Sequence, residues 1–185
     1  DVKALRERTG AGMMDCKHAL VEAGGDLDKA VTILREKGVA AASKKSSRDA
    51  KEGVVHTYIH PGSRIATMVE LNCETDFVAR NDMFQSLARD IAMQVAATKP
   101  QAVGREQMPQ GLLDEESEIY RNQAKNEGKP EHIIDRIVQG RIEKFYQENC
   151  LLEQPFIRDT DKTVKDLITD AVGTLGENIQ IRRFI

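Results

Sequence analysis

Hydrophobic positions near the start of the chain recur at helical spacing in short runs separated by glycines. Val2 and Leu5, among charged neighbours, make one amphipathic stretch, and Thr9–Gly12, with two glycines in four residues, disfavours its continuation. A second helix is expected from about Met14 to Ala23, with Cys16, Ala19, Leu20 and Ala23 on one face and Gly24 and Gly25 closing it. Asp26 is a good N-cap for a third, whose Leu27, Ala30, Val31 and Leu34 follow the i, i+3, i+4, i+7 pattern and which Gly38 is expected to end. Helices this short are marginal in isolation and survive by packing on one another. Residues 1–39 are therefore expected to form a three-helix module, and residues 40–52, rich in Ala, Ser and Lys, a helical or flexible tether.

From Gly53 the period changes to two. Val55, Thr57 and Ile59 alternate along one expected strand, and Ile65, Thr67, Val69, Leu71 and Cys73 along the next, with Pro61 and Gly62 in the turn of a hairpin. The other face of the second strand carries Ala66 and Met68 before turning polar at Glu70 and Asn72, a half-apolar surface suited to cover by another chain. Asn81 or Asp82 can cap the next helix, with Gln85 three residues beyond Asp82 in the manner of a capping box, and Phe84, Leu87, Ala88, Ile91 and Val95 form its core stripe up to Pro100. A helical hairpin is expected over about 112–149, turning at Glu127–Lys129. Its second member is rich in apolar positions (Ile133, Ile134, Ile137, Val138, Ile142, Phe145), whereas its first offers only Leu113, Ile119, Tyr120 and Ala124. Val164 to Leu175 is the cleanest helical stripe in the chain, stopped by Gly176, and Ile179–Ile185 reads as a third strand. Residues 53–185 thus read as a three-stranded antiparallel sheet packed with helices, and the whole chain as α+β.

Composition narrows the function classes. The formal charge of −3 lacks the surplus of clustered Lys and Arg that broad phosphate-backbone binding requires, and the basic run Ser43–Arg48 reads as solvated tether. No apolar run approaches the roughly 20 residues needed to cross a bilayer. The odd and widely spaced Cys16, Cys73 and Cys150 support neither a disulfide framework nor a zinc site and fit a reducing cytosol. His18, His56, His60 and His132 stand without partners at nucleophile or metal spacing, and phosphate-loop, nucleophile-elbow and dinucleotide motifs are missing. No catalytic residue, metal or cofactor is expected, and no direct contact with nucleic acid.

Three segments are candidates for contact chemistry. In Asn72–Asp82, reading NCETDFVARND, Thr75 or Asp76 is able to cap a short helical turn with Phe77 folded onto the core. Alternatively Asp76 and Phe77 stand at an exposed tip, an acid beside an aromatic of the kind that dominates binding energy. Spacing does not choose between these. In Gly10–Lys17, Met13 and Met14 either complete a small core or form an adaptable contact surface. His60–Ile65, at the hairpin tip, is turn chemistry or a weaker contact site.

These same residues carry a resemblance. LRERTGAGMMDCKHAL at Leu5–Leu20, NCETDFVARND at Asn72–Asp82, QPFI at Gln154–Ile157 and GENIQIRRF at Gly176–Phe184 resemble the elongation factor Ts family, in order and over essentially the whole chain. The resemblance implies a ubiquitin-associated-like N-terminal domain of three helices, a linker, and an α+β core bearing an antiparallel helical hairpin. It implies a guanine-nucleotide exchange factor that binds elongation factor Tu carrying GDP, promotes GDP release and works by protein–protein binding in the cytoplasm of bacterial-type cells. By matching position, Asp76 and Phe77, flanked by Thr75 and Val78, would push toward the magnesium site of the GTPase. Arg6, Met13, Met14 and Lys17 would contact its GTPase domain, and His60 is a further contact in cis or across a dimer. Longer members carry two related core halves where this chain has one, which implies a homodimer using the Ala66 and Met68 face. The alternative function is a ribosome- or ubiquitin-associated adaptor sharing the N-terminal module but without exchange activity.

Overall fold

The computed structural model describes all residues, Asp1–Ile185, in two units, one formed by Asp1–Ala92 with Lys165–Ile185 and the other by Met93–Val164. In the first unit, helices α1 (Val2–Thr9), α2 (Met13–Glu22) and α3 (Leu27–Lys45) enclose a small core of Leu5, Cys16, Ala19, Leu20 and Ala30, with Leu27, Val31 and Leu34 packed on it. Asp26 caps α3 as expected, its carboxylate accepting the backbone N–H of Asp28 at 2.9 Å and of Lys29 at 3.0 Å. The helix does not stop at Gly38. It continues to Lys45, so the first part of the expected tether is helical. A glycine terminates a helix by taking a left-handed φ, and Gly38 does not take one. Followed by Val39 and three alanines, it is carried through as a weak helical residue.

Strands β1 (Glu52–Ile59), β2 (Ala66–Cys73) and β5 (Gln180–Phe184) form an antiparallel sheet in the order β1-β2-β5. Inward residues of β2 are Thr67, Val69, Leu71 and Cys73, all buried, and the Thr67 hydroxyl donates at 2.7 Å to the carbonyl of Ala92 on α5 (Asp82–Thr98). Gly53 meets β2 so closely that a Cβ there would lie 2.2 Å from the Leu71 carbonyl oxygen, at a φ of +147°. Along β2 and β5 the register shifts after Glu70, which pairs with Arg183 while Leu71 pairs with Ile181, leaving Arg182 as the extra residue of a bulge.

The alternation on β1 resolves in an unanticipated direction. Val55, Thr57 and Ile59 face outward opposite Glu70, Met68 and Ala66, whereas Val54, His56 and Tyr58 are half-buried. Both faces of β1 carry apolar atoms, so periodicity alone could not orient it. Asn72, expected to be outward and polar, is buried. Its amide donates to the Ala50 carbonyl at 3.2 Å, and its Oδ1 has no partner. The capping of α5 also differs in detail. Asn81 caps it by accepting the N–H of Met83 at 2.9 Å, and Gln85, instead of closing a capping box, donates at 2.7 Å to the Ala79 carbonyl.

In the second unit α6 (Gln110–Asn126) and α7 (Glu131–Asn149) form the helical hairpin, turning through Gly128 at a φ of +70°. Its seam has two small clusters, one of Ala124, Ile134 and Val138 and one of Ala102, Met108, Leu113, Phe145 and Cys150, while Ile119 lies exposed. A short hairpin, β3 (Pro155–Phe156) with β4 (Asp159–Thr163), follows. Its second strand is polar and almost wholly exposed, so it leaves no hydrophobic trace in the sequence. Fully buried Gln94 ties this segment to α5. Its Oε1 accepts the N–H of Ile157 at 2.9 Å and its Nε2 donates to the Pro155 carbonyl at 3.1 Å, while Gln154 links the Thr98 hydroxyl to the Glu148 carbonyl. Helix α8 (Val164–Leu175) ends at Gly176, whose positive φ starts the approach to β5.

Open space surrounds the Cβ position of Gly38. Gly38→Ala is therefore expected to stabilise the protein by roughly 0.5–1 kcal/mol, the difference in helix propensity between the two residues. A thermal melt followed by circular dichroism checks this, with a raised midpoint as the expected outcome.

Candidate functional site

At the end of β2 the chain makes a single helical turn, α4 (Asp76–Ala79), and here both sequence alternatives are partly realised. Thr75 is the cap, its hydroxyl oxygen accepting the N–H of Val78 at 3.3 Å. Phe77 does not fold onto the core, and 81% of it is exposed. The cause is local. Val78 and Ala79 are buried, and the adjacent position of the same turn has to point away from the surface those two occupy. Val78, expected beside Phe77 among the contact residues, thus turns inward and supports the turn.

Asp76 is exposed and accepts a hydrogen bond from Arg80 at 2.8 Å, an i, i+4 pair on the surface that another polar partner can displace at small cost. Behind the turn, Cys73 donates its thiol to the Thr75 carbonyl at 3.1 Å, and burial pushes its pKa to about 11, which makes it inert at neutral pH. The same cause raises Cys150 to about 11.

On the N-terminal module Met13 and Met14 are 48% and 56% exposed, so they are not part of the small core; Arg6 and Lys17 are exposed as well. The module is joined to the rest of its unit by an ion pair from Arg35 to Asp166 at 3.0 Å. His60 is exposed at the β1–β2 turn, its Nδ1 3.0 Å from the Tyr58 hydroxyl, and the turn closes with the N–H of His60 donating to the Ile65 carbonyl.

A second surface, the outer face of the sheet, was only half visible in the sequence. Val55 and Ile59 join Ala66 and Met68 there, four exposed apolar residues on two paired strands. Beside them Glu70 accepts hydrogen bonds from Arg183 at 2.7 Å and Arg182 at 3.0 Å, an arrangement made possible by the bulge, and these guanidinium groups, Arg183 foremost, hold its carboxyl below its ordinary pKa.

Such a fold and such surfaces define an α+β protein that exposes an aromatic ring on a turn and apolar side chains on one sheet face. Residues 22–172 match the family model described as Elongation factor TS. Curated relatives named Elongation factor Ts are similar along the full chain. The one from Thermoanaerobacter sp. (strain X514) is 62% identical over 184 residues, covering 100% of this chain and 90% of the relative. That from Carboxydothermus hydrogenoformans is 62% identical over 184 residues, covering 100% and 85%, and that from Moorella thermoacetica is 60% identical over 185 residues, covering 100% and 91%. The chain belongs to the elongation factor Ts family. No helix in it is long and apolar enough to cross a membrane.

Because the folded-state pKa of Glu70 lies below its ordinary value of 4.5, its ion pairs add stability that is fully present above that value and is lost as pH falls through the lower, folded value. Glu70→Gln is expected to remove this share of the acid-induced loss. Urea unfolding of both proteins at a series of acidic pH values checks it, the two curves converging as pH falls.

Proposed function

We propose that this chain binds elongation factor Tu carrying GDP and accelerates GDP release, with Phe77 as the wedge. The observation that carries this reading is the exposure of the Phe77 ring on a turn anchored by buried neighbours. A large aromatic held in water on a fixed turn gains its free energy only when a partner covers it, and aromatic anchors of this kind dominate interfaces. Family membership supports the identity of the partner.

The mechanism is linkage, with no bond made or broken by this chain. A protein that binds nucleotide-free Tu more tightly than GDP-bound Tu weakens GDP by the same factor. A thousandfold weakening corresponds to about 4 kcal/mol of coupling. Phe77 occupies space beside the magnesium site of the partner, and Asp76, free to exchange Arg80 for a partner group, orients the turn there. Arg6, Met13, Met14 and Lys17, all exposed on the three-helix module of ubiquitin-associated type, make a second contact with the GTPase domain.

Two copies of the chain pair through the outer sheet face of Val55, Ile59, Ala66 and Met68, giving a homodimer that binds two Tu molecules. The support is the gathering of these four exposed apolar residues, with Thr57 between them, on the solvent side of an antiparallel sheet, where polar residues are the rule. His60, at the rim of that face, adds a contact to Tu from one subunit or the other.

Stopped-flow release of fluorescent GDP from Tu tests the exchange reading. The wild-type chain is expected to accelerate release, and Phe77→Ala to reduce that acceleration at least about 30-fold, the equivalent of roughly 2 kcal/mol at an aromatic hot spot. Absence of acceleration by the wild type, with binding to Tu retained, would favour an adaptor instead. Sedimentation at several concentrations tests the pairing. Met68→Glu, which would bury an unpaired charge, is expected to leave monomers where the wild type gives dimers, and a wild type that stays monomeric ends that part of the reading.

A further inference from the structure

Three stretches distant in sequence meet at the base of the Phe77 turn. The carboxylate of Glu177, just past Gly176, accepts the backbone N–H of Glu74 and of Thr75 on Oε2, each at 3.0 Å, and the Thr75 hydroxyl on Oε1 at 2.6 Å. Glu74 reciprocates. Its Oε1 accepts the N–H of Asn178 at 2.6 Å and a longer bond from Arg48 at 3.5 Å. The buried amide of Asn178 then donates to the carbonyl of Arg48 at 2.7 Å.

The sheet does not require this arrangement. The ladder between β2 and β5 is already in register at Leu71 with Ile181 and at Asn72 with Gln180, and the N–H groups of Glu74 and Thr75 lie beyond it. What the Glu177 carboxylate fixes is the direction in which the chain leaves the sheet. By accepting the Thr75 hydroxyl proton it also leaves the oxygen lone pairs of that hydroxyl aimed at the N–H of Val78, the bond that caps α4. Charge-assisted bonds to two successive backbone N–H groups and a hydroxyl hold a tip far more firmly than turn propensity does.

We infer that Glu177 is the positioning residue of the wedge: it orders the Thr75–Ala79 turn in the free protein, so that Phe77 docks without a cost for ordering the loop. This rests on the exchange reading above. The contribution is one of pre-organisation: the bonds of Glu177 are to the turn, and the ring that the turn carries makes the contact.

The test joins kinetics with amide exchange. Glu177→Ala is expected to lower the GDP-release rate at saturating concentration by about tenfold, the usual scale for losing charge-assisted hydrogen bonds. Added to Phe77→Ala it is expected to cost nothing further, since a residue that acts through the ring has nothing to position once the ring is gone. Glu177→Gln, which keeps one acceptor oxygen, is expected to recover part of the rate and serves in place of Glu177→Ala should that variant fold poorly. Hydrogen exchange at the amides of Glu74 and Thr75, measured on the free protein, is expected to quicken in both variants. Additive losses in the double variant, or unchanged amide protection, overturn the inference. If the wild type itself fails to release GDP, the exchange reading falls on its own, and the amide measurement still decides whether Glu177 orders the turn.

Discussion

The packing of β2 is the constraint on which the first unit depends. Its inward residues Val69, Leu71 and Cys73 are fully buried, and it is paired on both sides, by β1 and by β5. A strand so held cannot slip by one residue without turning those side chains out to water. Its end is therefore fixed in space, and the turn that carries Phe77 starts from that end. Turn residues alone would give a mobile tip; attached to a strand that cannot shift, and tied to Glu177 and Asn178 in the segment before β5, they give a defined one.

The same strand decides what happens on the other side of the sheet. With inward positions fixed, Ala66 and Met68 have to point outward, and β1 lays Val55 and Ile59 against the same strip. The exposed aromatic and the exposed sheet face are thus two consequences of one register. They also differ in kind: the first is a single ring on a short turn, suited to entering a crevice, and the second is a flat strip suited to meeting another flat strip.

Much of this was legible in the chain. The stripes Leu27, Ala30, Val31, Leu34 and Val164 to Leu175 predicted their helices, and the alternation from Ile65 to Cys73 predicted the buried face of β2 except at Ile65, which precedes the strand and is exposed, because each is a one-sided pattern. Where both sides of an element are apolar, as on β1, the pattern is silent about orientation. At Gly38 the sequence suggests a stop that the structure does not make, because glycine weakens a helix in every context but ends one only where the backbone turns left-handed. The candidate turn was located by its residues, but its exposure was not, since Phe77, Val78 and Ala79 are all apolar and only the packing shows which of them are buried. Glu177 leaves no mark in the sequence for a different reason: its partners lie about a hundred positions away along the chain, and no local spacing reports a bond of that span.

Among the polar ties described, the one centred on Gln94 is made entirely of neutral groups. Its amide satisfies both an acceptor and a donor of the segment that follows Gln154, and no charge takes part. Changes in acidity or ionic strength that loosen the carboxylate–guanidinium contacts around Glu70 therefore pass this joint by, and the end of α5 stays fastened to the Pro155–Ile157 segment under conditions that relax the sheet surface.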